Sequence, residues 1–367
     1  MANNNLSAAR KAKNDEFYTQ FQDIQKEIEA YIEYDKNAFK GKVVYCNCDD
    51  PFESNFFRYF VLNFKRLGLK SLITTSYKPS PVANTALPLF GDDKTLQPEK
   101  GRPKVTANKF VINTVGDFNG DGSFNISDIS EQLKANKHNE WQPLKGDGDF
   151  RSAECIELLE QCDIVVTNPP FSLFREFVSQ IVQYQKKFVI IGNMNAITYK
   201  EIFPLIKDNK MWLGNGFHAG NAYFATPNVR EFASGVYDEK SGLVKFRNVV
   251  WFTNMDHGKR HQQLSLMTMA DNRKFNKKVI KSETAYEVYD NYDAIEVPFT
   301  DAVPSDYDGV MGVPISFLDS YNLEQFEILG ANRGVDQDPS RIYGRSTYIN
   351  GKETFKRLFI KHKKAAV

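Results

Sequence analysis

The sequence of 367 residues lacks the features that mark several specialised classes of protein. No apolar run approaches the ~18 residues that a membrane helix needs, and residues 1–17 carry no apolar core of the kind found in secretory signals. Four cysteines are too few for a disulfide framework in a chain of this length. The sequence therefore predicts reduced, mostly buried thiols in a cytoplasmic protein with no membrane segment. A zinc site formed by Cys46, Cys48, Cys155 and Cys162 is the alternative.

Net charge is also nearly absent, because 47 Lys and Arg residues against 46 Asp and Glu residues leave +1. Any site for a polyanion must therefore come from local clustering. One cluster contains His257, Lys259, Arg260, His261, Arg273, Lys274, Lys277, Lys278 and Lys281. A second contains Lys352, Lys356, Arg357, Lys361, Lys363 and Lys364. We take residues 273–281 as the better candidate for nucleic-acid contact; the alternative is a solvated surface.

Strand-like and helix-like segments alternate from about residue 23 to residue 213. Ser54 and Ser152 are predicted N-caps, and Thr198 with Glu201 predicts a capping box that opens a further helix. This alternation is typical of an α/β protein with a parallel sheet flanked by helices, whose ligands bind at the carboxyl ends of the strands.

The pattern changes after about residue 215, where short β-like pieces alternate with polar loops. We therefore predict two regions. Residues 1–215 would form the catalytic core, and residues 216–367 would hold the remaining core strands and a region that recognises the target.

The most informative motif is Asn168-Pro169-Pro170-Phe171, which directly follows the apolar run DIVVT. Two prolines fix φ and stiffen the loop. An Asn amide oxygen and a backbone carbonyl oxygen in such a loop can converge on one amino group, while the Phe ring stacks on a planar base. A rigid pocket of this kind suits an enzyme that modifies an exocyclic amine, although Asn-Pro also occurs in ordinary turns.

DIVVTNPPF resembles the catalytic motif of amino-methyltransferases that use S-adenosylmethionine. Further stretches resemble the EcoRI-type adenine-specific DNA methyltransferases, and together they cover most of residues 10–255. They are DEFYTQ (15–20), VVYCNCDDP (43–51), SNFF (54–57), GDGDFRS (146–152), NPPFSLFREF (168–177), IIGNMNAITYKEIFPLIK (190–207) and a later stretch, 309–330.

This resemblance implies a Rossmann-like class I methyltransferase fold with a mainly parallel sheet and a smaller C-terminal β/loop recognition region. It implies transfer of a methyl group from S-adenosylmethionine to adenine N6 in a specific sequence of double-stranded DNA. It further implies a restriction-modification system, with a partner endonuclease acting separately.

The resemblance also assigns roles at the catalytic motif. Asn168 and the carbonyl of Pro169 would accept hydrogen bonds from the adenine amino group, Pro170 would stiffen the loop, and Phe171 would stack on the flipped base. The chemistry requires no metal, because the cofactor already carries an activated methyl group.

Cofactor contacts follow from the same resemblance. Phe17, Tyr18 and Thr19 match the segment near the methionine moiety. Asp49 and Asp50 stand where many methyltransferases carry DPFCGSG, but the glycines are missing here, and a cluster that caps the next helix is the alternative.

A second cofactor element is the GDGDF segment. Asp149 would accept a hydrogen bond from the amine of the cofactor's adenine, and Phe150 would pack on its ring. A glycine turn without a ligand is the alternative.

Residues 117–128 fit the pattern of a calcium loop. Oxygen ligands fall at Asp117, Asn119, Asp121, the Ser123 carbonyl and Asp128, with glycine at the sixth position. A structural calcium ion is one interpretation; a loop whose side chains cap its own backbone is the other.

Two other functions remain open from the residues alone. One is methylation of RNA adenine or of a protein glutamine. The other is a catalytically silent module that binds DNA. The long region after residue 215 favours a DNA methyltransferase.

Overall fold

A computed structural model describes residues 18–48, 54–77, 107–118, 120–125, 128–129, 138–217, 222–225, 237–246, 248–332 and 346–363. The chain divides into two compact units. The first is Met1–Asn193 with Gly214–Met255, and the second is Met194–Leu213 with Asp256–Val367. No helix in the described ranges has the length and apolar character needed to cross a membrane.

The first unit is an α/β structure. Its strands are β1 (Tyr18–Thr19), β2 (Val43–Cys46), β3 (Ser71–Thr75), β4 (Asn108–Ile112), β5 (Glu140–Pro143), β6 (Ile164–Thr167), β7 (Lys187–Asn193), β9 (Ala222–Ala225), β10 (Tyr237–Asp238), β11 (Leu243–Phe246) and β12 (Val249–Thr253). Its helices are α1 (Phe21–Tyr34), α2 (Asn55–Leu62), α3 (Phe64–Leu67), α4 (Ala153–Gln161) and α5 (Phe174–Gln183).

The main sheet of this unit runs in the order β5-β4-β3-β2-β6-β7-β12. The four central strands are parallel. Strands β4, β5 and β12 are antiparallel to their neighbours, so the sheet is mixed and only its centre matches the expected parallel arrangement. The chain passes from β2 outward to β3 and then returns to β6 on the other side of β2. The gap between β2 and β6 is therefore the topological switch point, where open α/β sheets bind ligands.

Apolar strands and capped helices explain the core of this unit. All residues of β2, β3 and β6 are buried, as expected for central parallel strands. The predicted N-caps are confirmed. The Ser54 hydroxyl accepts from the backbone N–H groups of Phe56 and Phe57, and the Ser152 hydroxyl accepts from that of Cys155. The thiols of Cys46, Cys155 and Cys162 are buried, and burial raises the pKa of Cys155 and Cys162.

A second, four-stranded sheet of the first unit runs in the order β1-β9-β11-β10, with antiparallel pairing throughout. Thr19 pairs with Phe224, so the short N-terminal strand is held by residues about 200 positions later in the chain. Phe224 is buried against Phe217 and Phe246.

The second unit holds α6 (Phe203–Lys207), α7 (Met269–Phe275) and α8 (Lys277–Ile280). Its strands are β8 (Trp212–Leu213), β13 (Ile295–Glu296), β14 (Met311–Pro314), β15 (Phe326–Ala331), β16 (Tyr348–Ile349), β17 (Lys352–Glu353) and β18 (Arg357–His362). Four of these strands form a sheet in the order β13-β14-β18-β15. A small core of Tyr289, Tyr292, Ala294, Ile349 and Phe359 packs on it.

The predicted capping box at Thr198 and Glu201 is wrong. Residues Met194–Thr198 form a 3-10 helix, and α6 begins only at Phe203, without a side-chain cap. Pro204 lies in the first turn of α6, where its fixed φ and missing N–H are well tolerated. Proline therefore sets the start of this helix. The Thr198 hydroxyl instead donates to the carbonyl of Asn195.

Candidate active site

The catalytic motif lies at the switch point of the main sheet. Asn168 follows β6, and Asn47 follows the neighbouring strand β2. The two strand ends are tied together, because the Thr167 hydroxyl donates a hydrogen bond to the backbone carbonyl of Asn47. Asp49 and Asp50 lie just beyond, outside the described residues.

Asn168-Pro169-Pro170-Phe171 leads into a 3-10 turn, closed by a 3.0 Å hydrogen bond from Leu173 N–H to the Pro170 carbonyl. Pro169 is buried, and the amide oxygen of Asn168 is also buried. Phe171 is half-buried and packs against the main core. The loop thus keeps a partly open aromatic ring beside a buried amide oxygen.

A close contact between α5 and β7 fixes where this loop ends. A Cβ atom on Gly192 would lie 2.4 Å from Cε2 of Phe174. The Phe174 ring therefore rests directly on the bare backbone of β7, and it also packs against Phe252 at 5.2 Å between centroids. Only glycine permits this contact, which positions the first turn of α5 and the motif before it.

The GDGDF segment lies against the end of β3. Gly148 has φ +78°, and a Cβ atom there would lie 1.9 Å from the carbonyl oxygen of Ser76. Phe150 is buried edge-to-face on Phe177, with 5.1 Å between ring centroids. The segment predicted to hold the cofactor's adenine is therefore at the carboxyl edge of the same sheet.

Asp149 already has a partner in this turn. Its two carboxylate oxygens accept hydrogen bonds from Arg151, from Nε at 2.9 Å and from Nη2 at 2.6 Å. Arg151 also donates to Glu176 at 2.8 Å, and hydrogen bonding to Asp149 raises the pKa of Arg151. Oδ1 also accepts from the Arg151 backbone N–H at 2.9 Å. The contact predicted for Asp149 therefore requires a ligand amine to share Oδ2 with Arg151 or to displace the guanidinium.

The N-terminal strand β1 is tied to the same edge. The Asn55 side-chain amide, in the first turn of α2 after β2, donates to the Thr19 carbonyl at 2.8 Å. The Thr19 hydroxyl and the Asn47 amide oxygen are buried, and neither has a hydrogen-bond partner among the described residues. Such buried polar atoms fit a polar ligand at the carboxyl end of β2. Phe17 and the Tyr18 side chain lie outside the described residues.

Sequence reasoning missed Glu27. This carboxylate of α1 is fully buried and accepts from the backbone N–H groups of Asn215 at 3.0 Å and Gly216 at 2.9 Å. The Tyr31 hydroxyl donates to it at 2.6 Å, and burial together with this carboxylate raises the pKa of Tyr31. Glu27 thereby holds the segment that leads into β9, the partner of β1. An acidic residue on the apolar stripe of Ile24 and Ile28 was the available signal.

The proposed calcium ligands bind their own backbone. Asp117 accepts from Gly120 N–H at 2.7 Å and from Gly122 N–H at 2.8 Å, and Asp128 accepts from two N–H groups at 2.8 Å. Asp121 accepts from Ser123 N–H at 2.9 Å. These hydrogen bonds favour the self-capped loop and give no support to calcium.

Asn119 lies outside the described residues. Within the described ranges, no group of three or more His, Cys, Asp or Glu residues could hold a metal, so the zinc alternative gains no support.

Several cations of the predicted basic clusters are in the interior. His257 and Arg260 are buried. The guanidinium carbon of Arg260 lies 3.6 Å from the centre of the Trp212 ring. Burial lowers the pKa of His257. Arg357 is only 6% exposed and is paired with Glu296. By contrast, Arg273, Lys274, Lys277, Lys278 and Lys281 are all exposed.

The geometry defines a class of enzyme. A stiff Asn-Pro-Pro-Phe loop lies at the switch point of a mixed α/β sheet, next to buried polar atoms that have no hydrogen-bond partner within the described ranges. This arrangement is the one expected of a methyltransferase that acts on an amino group.

Comparison with known proteins identifies the family. The chain belongs to the EcoRI family of adenine-specific methyltransferases, because the family model described as "Adenine-specific methyltransferase EcoRI" matches residues 5–364. The chain is 41% identical to the Type II methyltransferase M.EcoRI of Escherichia coli over 364 residues, which cover 98% of this chain and 96% of the relative. It is 33% identical to M.MpnI of Mycoplasma pneumoniae over 375 residues, 99% of each chain.

A further relative, M.MgeORF184P of Mycoplasma genitalium, is 33% identical over 369 residues, covering 97% of this chain and 98% of the relative. No solved structure gives a significant match. The predicted family is confirmed, and the residue roles remain predictions.

Proposed function

We propose that this protein transfers a methyl group from S-adenosylmethionine to the N6 amino group of adenine in a specific sequence of double-stranded DNA. The observation that carries the proposal is Asn168-Pro169-Pro170-Phe171 at the switch point of the sheet, in a chain that belongs to an adenine-specific methyltransferase family. Its relatives are named Type II methyltransferases, which supports a modification role. We place that role in the cytoplasm, beside a restriction endonuclease that acts separately.

The chain's own residues orient the amine. The Asn168 amide oxygen and the Pro169 carbonyl accept its two N–H groups, which directs the nitrogen lone pair toward the methyl group. These two acceptors also stabilise the positive charge that develops on nitrogen during transfer. Phe171 holds the flipped base by stacking, so the reacting atoms meet in one orientation.

S-adenosylmethionine supplies an activated methyl group on a sulfonium ion. The residues at the carboxyl edge fit it within a Rossmann-like class I arrangement. The Thr19 hydroxyl and the Asn47 amide oxygen are buried and can accept hydrogen bonds from a polar ligand, since neither is paired with another of the described residues. We assign Asp149 and Phe150 to the adenine end. The assignment of Phe17, Tyr18, Asp49 and Asp50 to the cofactor rests on the family resemblance alone, because these side chains lie outside the described residues.

The candidate DNA-contacting residues belong to the second unit. Arg273, Lys274, Lys277 and Lys281 are exposed, and Lys278 forms a solvent-exposed ion pair with Asp301 at 2.8 Å. An exposed pair of this kind contributes little, so Lys278 can exchange Asp301 for a phosphate. Phosphate contacts from this cluster would compensate for the near-zero net charge.

One experiment tests the reaction and its target together. Purified protein receives tritiated S-adenosylmethionine with unmethylated plasmid, transfer RNA or total protein. We expect label only in the plasmid, in N6-methyladenine after digestion, and none with Asn168→Ala. Label in RNA or in protein glutamine, or no label anywhere, would refute the proposal.

A further inference from the structure

We propose that Phe275 is an apolar wedge that contacts the base stack of duplex DNA. This inference rests on the DNA methyl transfer proposed above and concerns how the duplex is gripped. Phe275 ends α7 and is 60% exposed, and Ile280 ends α8 and is 57% exposed. Phe275 thus stands at the corner where α7 meets α8, and Ile280 is a second large exposed apolar side chain at the other end of α8.

The corner is held rigidly from behind by Asn276. This residue is buried, and its side-chain oxygen accepts from the backbone N–H groups of Lys278 at 3.0 Å and Val279 at 3.5 Å. Its amide group donates to Asn272 and to the Asp301 carbonyl, both at 3.3 Å. The backbone next to Phe275 is therefore already fixed, so little conformational entropy is lost when the ring binds.

The charge around the ring identifies the partner. Residues 273–281 contain five Lys and Arg residues and no acidic residue, and the Lys274 ammonium lies 4.9 Å from the centre of the Phe275 ring. A second copy of the chain would bring the same five cations against them, of which Lys278 is compensated by Asp301, and repulsion among the others disfavours that contact. A polyanion is attracted, and an apolar side chain among cations is the device by which several proteins unstack and bend a DNA duplex.

An apolar contact and a phosphate contact have different salt signatures. When a variant lacks a phosphate contact, its binding to DNA releases fewer counterions. The steepness of log affinity against log salt concentration then falls by about 0.9. Loss of a base-stacking contact weakens binding about tenfold and leaves that slope unchanged. The variants Phe275→Ala and Lys277→Ala separate the two, and Phe275→Trp keeps an aromatic ring.

The measurement is fluorescence anisotropy, across a salt series, with a labelled plasmid fragment that takes up the tritiated methyl group. Tyr34→Ala is the matched control, because Tyr34 is 48% exposed but lies between Glu33 and Asp35. We expect Phe275→Ala to bind about tenfold more weakly at every salt concentration, Phe275→Trp to bind like the wild type, and Tyr34→Ala to show no effect.

Wild-type affinity of a folded Phe275→Ala protein would overturn the inference and leave the methyl transfer standing. A reduced salt slope in Phe275→Ala would overturn it too, because the loss would then be electrostatic. Sedimentation would assign the corner to a second copy of the chain if the wild type self-associates, Phe275→Ala does not, and the DNA affinity of Phe275→Ala is unchanged. Failure of the wild type to label DNA would remove both the inference and the proposed function.

Discussion

Substitution of Gly148 by alanine tests whether the GDGDF turn belongs to the cofactor site. Gly148 lies directly before Asp149 and Phe150, against the end of β3. The added methyl group would lie 1.9 Å from the Ser76 carbonyl oxygen and 3.0 Å from Cβ of Ala107. Neither neighbour can withdraw easily, because Ser76 N–H donates to the Asn108 carbonyl at 2.9 Å.

The structure sets the size of the effect. A backbone at φ +78° costs a non-glycine residue roughly 1–2 kcal/mol. Relief of the contact with Ser76 requires the turn to move by about 1 Å, and a misplacement of about 1 Å can cost about a hundredfold in rate. We therefore expect Gly148→Ala to lower kcat/KM for S-adenosylmethionine about a hundredfold, with a loss of roughly 1–3 kcal/mol in the free energy of unfolding.

Gly146→Ala is the matched control in the same turn. A Cβ atom at Gly146 would meet only the Glu154 carboxylate, at an ordinary 3.6 Å, so this variant should behave like the wild type. The rate of tritiated methyl transfer to plasmid, at a series of S-adenosylmethionine concentrations, gives kcat/KM for both variants. Calorimetric titration with S-adenosylmethionine and urea unfolding give their cofactor affinity and stability. If Gly148→Ala is destabilised but binds the cofactor as Gly146→Ala does, the turn is structural only.

Four further predictions concern the remaining candidate residues. Asn168→Ala should lower methyl transfer to DNA about a hundred- to a thousandfold while calorimetry shows unchanged cofactor binding; near-normal turnover would remove Asn168 from the site. Asp149→Ala should weaken S-adenosylmethionine binding with little change in DNA affinity, since Arg151 alone offers no acceptor for an amine; unchanged calorimetric affinity would exclude this role. The Lys277→Ala, Lys278→Ala double variant should lose about 0.9 per phosphate contact from the salt slope of DNA binding, with the rate at saturating DNA unchanged; a wild-type slope would mean that these lysines face only solvent. Because the loop at 117–128 caps itself, the protein should have equal melting temperatures in calcium and in chelator. A higher melting temperature in calcium would show that the folded protein binds the ion.

Local chemistry was readable from the sequence wherever a few neighbouring residues decide the structure. Ser54 and Ser152 cap helices because their hydroxyls need only the next turn of their own chain. The motif at Asn168 was equally readable, since an apolar run, two prolines and a change to helical spacing define a strand, a rigid loop and a helix together.

Predictions failed where distant segments decide. The antiparallel direction of β4 depends on pairing with β3 across residues 78–106. The exposure of Arg357 was misjudged because its partner Glu296 lies 61 positions away.

The last strand of the main sheet has a consequence for biosynthesis. β12 pairs with β7 along Asn193 to Val189, and the Asn254 side chain closes the end of that pair through Phe188 N–H at 2.9 Å and the Lys186 carbonyl at 2.9 Å. On the ribosome, β7 is complete about sixty residues before β12 is made, and an unpaired strand edge is prone to pairing with another chain. Fragments released by premature termination between residues 194 and 248 would therefore carry an open edge, whereas a polypeptide that reaches residue 254 closes it with its own backbone.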